Sequence, residues 1–164
     1  MKTAQALNKS IRRWLVVFIV LLVLSGITAF PLETELSLLA DITKSGPIVL
    51  RRWIDSVYTA VSETNTKYPF MAYGTDWLAF AHIVIAVAFI GPLKDPVRNV
   101  WIIQFGMIAC IMVIPLALIC GSIRNIPIFW QIIDCSFGVI GLIPLNHCYR
   151  NIIKLEQITH TKNK

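Results

Sequence analysis

Two ionisable side chains, His82 and Asp134, occur inside long apolar stretches of this sequence. An ionisable group in the interior of a membrane costs a few kcal/mol unless it is paired, so it marks a candidate functional site. Helix rise places His82 about 8 Å beyond Trp77 and Asp134 about 10 Å beyond Pro127, which puts them at similar depth. Because a histidine beside a carboxylate titrates near neutral pH, this pair could bind a proton or a small cation.

Two further residues extend this candidate intramembrane polar site. Gln131 lies one helical turn before Asp134, and Pro115 interrupts another apolar stretch. Proline has no backbone N–H and therefore frees the carbonyl group of Ile111, four residues earlier in a helix. The alternative interpretation is a contact between His82 and Asp134 through which two helices recognise each other without binding any ligand.

The composition of the chain indicates where these side chains reside. Of its 164 residues, 56% are hydrophobic and only 15% are charged, with a mean hydropathy of +0.68. An ordinary soluble domain has roughly 25% charged residues. A soluble globule of this length cannot bury so much apolar surface, and a disordered chain would be far more polar. The composition therefore predicts an integral membrane protein.

Four apolar stretches are long enough to cross a bilayer, which takes about 17 to 25 residues. They cover residues 14–30, 77–93, 100–120 and 126–145. Segments that cross lipid must satisfy their own backbone hydrogen bonds, so we expect helices. The predicted fold is all-α: one membrane domain, residues 1–164, forming an antiparallel bundle of four transmembrane helices. The first stretch could instead be a cleaved signal peptide, but its length favours an uncleaved helix.

The distribution of basic residues predicts the orientation. Ten of the fifteen Lys and Arg residues fall in the tails 1–13 and 146–164 or in the connection between the second and third spans. Positive residues accumulate on the cytoplasmic side, so we expect both termini in the cytoplasm, with the protein in the plasma (inner) membrane. We interpret the net charge of +6 as an orientation signal and expect no nucleic-acid partner.

The segment 31–74 is the longest part predicted to lie outside the bilayer, on the extracytoplasmic side. Leu50, Trp53, Ile54 and Val57 recur there at helical spacing, which predicts an amphipathic helix after a break at residues 44–47. The segment is too short for a core of its own, so its apolar face must rest on lipid headgroups, on the bundle or on a partner. These four residues form the candidate partner surface.

The sequence predicts no cofactor, no metal site and no catalytic residue. His147 follows Asp134 on the same predicted helix, about 20 Å from the level of His82, so one haem cannot join the two histidines. The four cysteines form no C-x-x-C pair and match no zinc spacing. Nucleophile elbows, phosphate loops and H-E-x-x-H motifs are also lacking.

Two functions are consistent with these observations. The favoured hypothesis is a non-enzymatic accessory, assembly or docking component of a membrane complex. The alternative is a small oligomeric transporter, coupled to an ion or proton, that uses His82 and Asp134. The first is favoured because no continuous polar path follows His82 towards the cytoplasmic end of its span. The expected partners are the bilayer and another membrane protein or a second copy of the chain.

Overall fold

The chain is almost entirely helical. A computed structural model describes residues 2–162, of which 89% are helical, with no strand in that range. In chain order the helices are α1 (Lys2–Ala29), α2 (Leu32–Thr43), α3 (Ile48–Lys67), α4 (Tyr73–Ala88), α5 (Ile90–Lys94), α6 (Val100–Ile123) and α7 (Ile128–Lys162). A short 3-10 helix, Pro69–Ala72, precedes α4. The all-α prediction is confirmed.

Four helical segments of the described chain are long and apolar enough to cross a membrane. They are Thr3–Ala29, Pro69–Lys94, Val100–Ile123 and Ile128–Thr159. Each contains most or all of one stretch predicted from the sequence. The prediction of four helices long and apolar enough to cross a membrane is therefore confirmed.

The first and last of these helices extend well beyond their apolar stretches. Helix α1 includes most of the basic segment before residue 14, and α7 continues to Lys162. Neither extension contains a glycine or proline that would end a helix. Hydropathy locates the part of a helix that suits lipid, whereas the helix itself continues until a residue stops it.

The described residues cluster into two compact units. Unit 1 contains the residues up to 20 and those from 86 onward, and unit 2 contains residues 21–85. The core of unit 1 includes Phe89, whose ring lies 4.8 Å from that of Phe18. The other members of this core come from α1, α6 and α7, and they are Ile11, Leu15, Ile103, Leu145, Cys148, Ile152 and Leu155.

Glycines let α6 and α7 approach closely within unit 1. A Cβ atom added to Gly138 would collide with the backbone carbonyl of Cys110, and one at Gly106 would lie 2.9 Å from Leu145. Successive contacts pair earlier residues of α6 with later residues of α7, so these two helices run in opposite directions. Small residues at helix interfaces are the usual means of close packing in membranes.

A tight turn joins α6 to α7 and fixes their relative position. Asn125 adopts a left-handed backbone with φ of 56°, which asparagine tolerates better than most residues. The N–H of Ile126 donates to the carbonyl of Gly121 (2.9 Å), and that of Asn125 donates to Ser122 (3.3 Å). This is the Schellman arrangement, which satisfies the last carbonyl groups of a helix.

Helices α2 and α3 pack against each other in unit 2. They are separated by residues 44–47, where the sequence predicted a break, and the predicted amphipathic helix is α3. Leu36 of α2 and Ile54 of α3 are buried. Both helices thus turn apolar side chains towards the interior of this unit.

Candidate functional site

His82 lies on α4 in unit 2 and is partly buried. Its Nδ1–H donates to the carbonyl of Leu78, 2.8 Å away and one turn earlier. This hydrogen bond places the proton of the neutral ring on Nδ1. Close contact with α1 holds this part of α4, because a Cβ atom at Gly26 would lie 2.8 Å from the carbonyl of Ala79 and 3.1 Å from the Cβ of His82.

Asp134 lies on α7 in unit 1, where it lines a cavity of about 300 Å³ between α6 and α7. Arg124, from the turn between these helices, lines the same cavity, and the other walls are mainly apolar. The two charged groups form no ion pair in the described chain. His82 belongs to unit 2 and Asp134 to unit 1, so a contact between the two side chains remains a prediction.

Gln131 is one of the few buried polar side chains of unit 1, with 5% of its surface exposed. Its Nε2 donates to the carbonyl of Ile126 at 2.7 Å. The side chain also fills the space beside Gly121, where an added Cβ would lie 2.7 Å from its Cγ. Gln131 thus joins the turn to the first part of α7, a structural role that its position beside Asp134 did not indicate.

Pro115 is exposed on α6. The adjacent carbonyl, that of Ile114, accepts a weak hydrogen bond from the Cys135 thiol at 3.9 Å. One backbone group beside the proline is therefore used in contact between α6 and α7. The carbonyl of Ile111, which proline leaves without its helical donor, stays part of the predicted polar site.

Unit 2 contains a cavity of about 490 Å³. Its walls come from the end of α1, from α2 and α3, and from the 3-10 helix with the first turn of α4. The lining is chiefly apolar and includes Phe30, Trp53, Val57, Val61 and Met71. We call this space the hairpin cavity.

Glu33 supplies a carboxylate to the wall of the hairpin cavity. The side-chain amide of Asn65 donates to Glu33 Oε2 at 2.8 Å, which connects α2 to α3. Hydrogen bonds from Asn65 and, secondarily, Ser62 hold the pKa of this carboxyl group below its ordinary value of 4.5. The hairpin cavity therefore combines an apolar lining with one negative charge.

The four residues of the candidate partner surface all lie on α3 but differ in exposure. Ile54 is 1% exposed and packs inside unit 2, and Leu50 is partly buried. Trp53 and Val57 line the hairpin cavity. The accessible part of the predicted surface in unit 2 is thus the cavity wall formed by Trp53 and Val57.

One polar cluster in unit 1 was not predicted. His147 Nε2 lies 3.0 Å from Ser10 Oγ and 2.8 Å from Asn151 Nδ2, and the Trp14 ring packs against the imidazole at 5.6 Å. Both hydrogen bonds use the same nitrogen, so the cluster connects α1 to α7 and lacks the geometry of a serine–histidine relay. Helical spacing in the sequence could have indicated the contact with Asn151, which is one turn from His147. It could not have indicated Ser10, which is 137 positions away.

Metal-ligating groups do not converge in the part of the chain that the structure describes. No three His, Cys, Asp or Glu side chains of residues 3–159 are placed to hold one ion. All four cysteines are free, and Cys148, the buried one, donates through its thiol to the carbonyl of Ile11 at 3.6 Å.

Four helices of this length and apolarity are compatible with a small integral membrane protein. No protein-family model, curated protein or solved structure matches the chain.

Proposed function

We propose that this protein is a non-enzymatic accessory or docking component of a plasma-membrane complex, and that the hairpin cavity of unit 2 receives the partner. The observation that carries the proposal is the cavity itself: about 490 Å³, lined by Trp53, Val57 and Met71, with the Glu33 carboxylate at its wall. Concave apolar sites with a few placed polar groups are typical of binding sites.

The chemistry of the cavity specifies the kind of partner. Apolar side chains of the partner would fill the space against Val57 and Met71, while a Lys or Arg would pair with Glu33. Glu33 is negatively charged at neutral pH, since its pKa lies below the ordinary value of 4.5. Phe70 and Met71 beside the cavity are largely exposed, so a membrane protein that covers them would also remove apolar surface from water. The proposed occupant is therefore an apolar, positively charged segment of another membrane protein.

The proposed topology has four antiparallel transmembrane helices, both termini in the cytoplasm and α2–α3 on the extracytoplasmic side. In unit 1, side chains near the start of α1, in the connection after α5 and near the end of α7 line one common cavity. These three segments carry most of the basic residues, and their common position supports placing them on one side of the membrane.

Site-directed photocrosslinking tests the docking proposal. A crosslinker at Val57, which lines the cavity, should capture one membrane protein, whereas a crosslinker at the exposed Thr59 of the same helix should not. Val57→Trp fills the cavity and Glu33→Gln removes its charge, so each should abolish co-purification of the captured protein. Equal capture from both positions, or capture only of a second copy of the chain, would contradict this proposal.

The alternative function, a small oligomeric transporter coupled to an ion or proton, is favoured by one observation. Asp134 lines a cavity together with Arg124, and inside a membrane a carboxylate is costly without a role or a partner. In reconstituted vesicles, Asp134→Asn should abolish a pH-driven or ion-driven response, while Asp76→Asn should preserve it. An unchanged response in Asp134→Asn would exclude this site.

A further inference from the structure

A second cavity, in unit 1, differs in chemistry from the hairpin cavity. It has a volume of about 560 Å³ and lies between the first turns of α1, the residues that follow α5 and the last turns of α7. Lys9, Arg12 and Lys94 line it, against a single acidic residue, Asp95. We call it the basic cavity.

The positive charge of the basic cavity is not neutralised within the described chain. Among residues 3–159, whose side chains the structure describes, the ion pairs are Lys44–Asp41 and Arg51–Asp55, both in unit 2. Asp95 accepts the backbone N–H of Arg98 through Oδ1 at 3.0 Å, and as the single carboxylate among the lining residues it offsets only one of the three positive charges. The cavity is therefore available to an anion.

The Arg12 guanidinium is oriented by the protein. Its Nε–H donates to the carbonyl of Leu93 at 3.3 Å, which connects α1 to the end of α5. The guanidinium has five N–H donors, so the others remain for a ligand. A planar donor group beside two lysines is suited to the oxygen atoms of a phosphate.

The position of the basic cavity specifies the source of that phosphate. Arg12 is two residues from Trp14, where the apolar part of α1 begins, a distance of about 3 Å along the helix. Lys94 is the last residue of another candidate span. Leu93, Val97 and Leu155 give the cavity apolar walls beside its cations. A ligand with a negative head and apolar chains matches this boundary better than a free anion does.

We propose that the basic cavity binds the headgroup of an anionic phospholipid, with the phosphate at Lys9, Arg12 and Lys94 and the acyl chains along the apolar exterior of unit 1. Basic pockets between transmembrane helices bind anionic lipids in this way. The proposal is independent of the docking function, because it involves the other unit and a lipid ligand.

The test compares lipid binding by two variants of equal charge. Lys9→Gln/Arg12→Gln/Lys94→Gln removes the three cavity cations, while Arg13→Gln/Arg150→Gln/Lys154→Gln removes three exposed cations that do not line the cavity. The full chain is placed in phosphatidylcholine nanodiscs with or without phosphatidylglycerol. Native mass spectrometry then measures the preference for bound phosphatidylglycerol over phosphatidylcholine.

The cavity variant should lose about fivefold of this preference for each removed cation, and the matched control should keep most of it. Equal losses in both variants, or no loss in either, would overturn the proposal. Single Lys94→Gln and Lys154→Gln variants provide the same comparison if the triple variants lose their helical circular dichroism. A second measurement uses inorganic phosphate with lipid-free protein in detergent: thermal stabilisation as large as that by phosphatidylglycerol would indicate a soluble-anion site instead.

Discussion

Helices α6 and α7 of unit 1 and helices α2 and α3 of unit 2 are each joined by four residues, but their contacts differ. The α6–α7 interface depends on glycines that bring backbones together, as at Gly138 and Cys110. The α2–α3 pair uses amphipathic faces and a hydrogen bond between side chains, from Asn65 to Glu33. Helices in lipid associate through close packing because the hydrophobic effect contributes little there. The proposed extracytoplasmic position of α2–α3 would let that pair use both apolar burial and polar contacts.

The largest effect on the stability of unit 1 should follow from Phe89→Ala. Phe89 is fully buried, packs against Phe18 and fills the space beside Gly106. Truncation leaves a cavity and should lower the free energy of unfolding by about 3 kcal/mol. Phe137→Ala, at an α7 position that is 65% exposed, is the matched control and should have little effect. The free energy of unfolding is measured by reversible unfolding in mixed micelles. Equal decreases in Phe89→Ala and Phe137→Ala would refute the tight packing assigned to unit 1.

Gly138→Val tests the glycine contact directly. The added side chain collides with the backbone of Cys110, so α6 and α7 must separate, at a cost of about 2 kcal/mol. Gly74→Val is the control, because an added Cβ there meets nothing within 4 Å. The same unfolding measurement applies, and an unaffected Gly138→Val variant would show that the interface tolerates a wider spacing.

Gln131→Ala should have a smaller effect, about 1 kcal/mol. The substitution removes the 2.7 Å hydrogen bond to the carbonyl of Ile126 and opens the space beside Gly121. Gln104→Ala, on α6 and less buried, is the matched control. If the two variants unfold alike, Gln131 does not join the turn to α7, and its assignment to the polar site with Asp134 gains support.

The smallest effect concerns the polar contact of unit 2. Asn65→Ala should raise the pKa of Glu33 towards its ordinary value, since the Asn65 amide is the main group that lowers it. A lowered folded-state pKa stabilises the fold above the unfolded pKa of about 4.5 and loses this contribution as the pH falls through the folded value. Carboxyl NMR titration measures the change, with Thr59→Ala as the control. Identical Glu33 titrations in all three proteins would contradict the role of Asn65.

The sequence predicts the elements of this protein better than their contacts. The four spans follow from hydropathy, and the break between α2 and α3 follows from Gly46 and Pro47. The sequence shows that α3 has an apolar face but not which residues of that face are buried within the protein. Ile54 is therefore buried although it was assigned to a partner surface. The basic cavity could not be predicted from residue types in the sequence, because its walls come from three segments that are distant in the chain.

The hydrogen bond between Ser10 and His147 has a consequence for biosynthesis. Its two residues are 137 positions apart, so Ser10 on α1 is synthesised long before His147 on α7. Contacts of such high sequence separation form late, after the entropy of closing a long loop has been overcome. The contact between α1 and α7 can therefore form only after most of the chain has been synthesised.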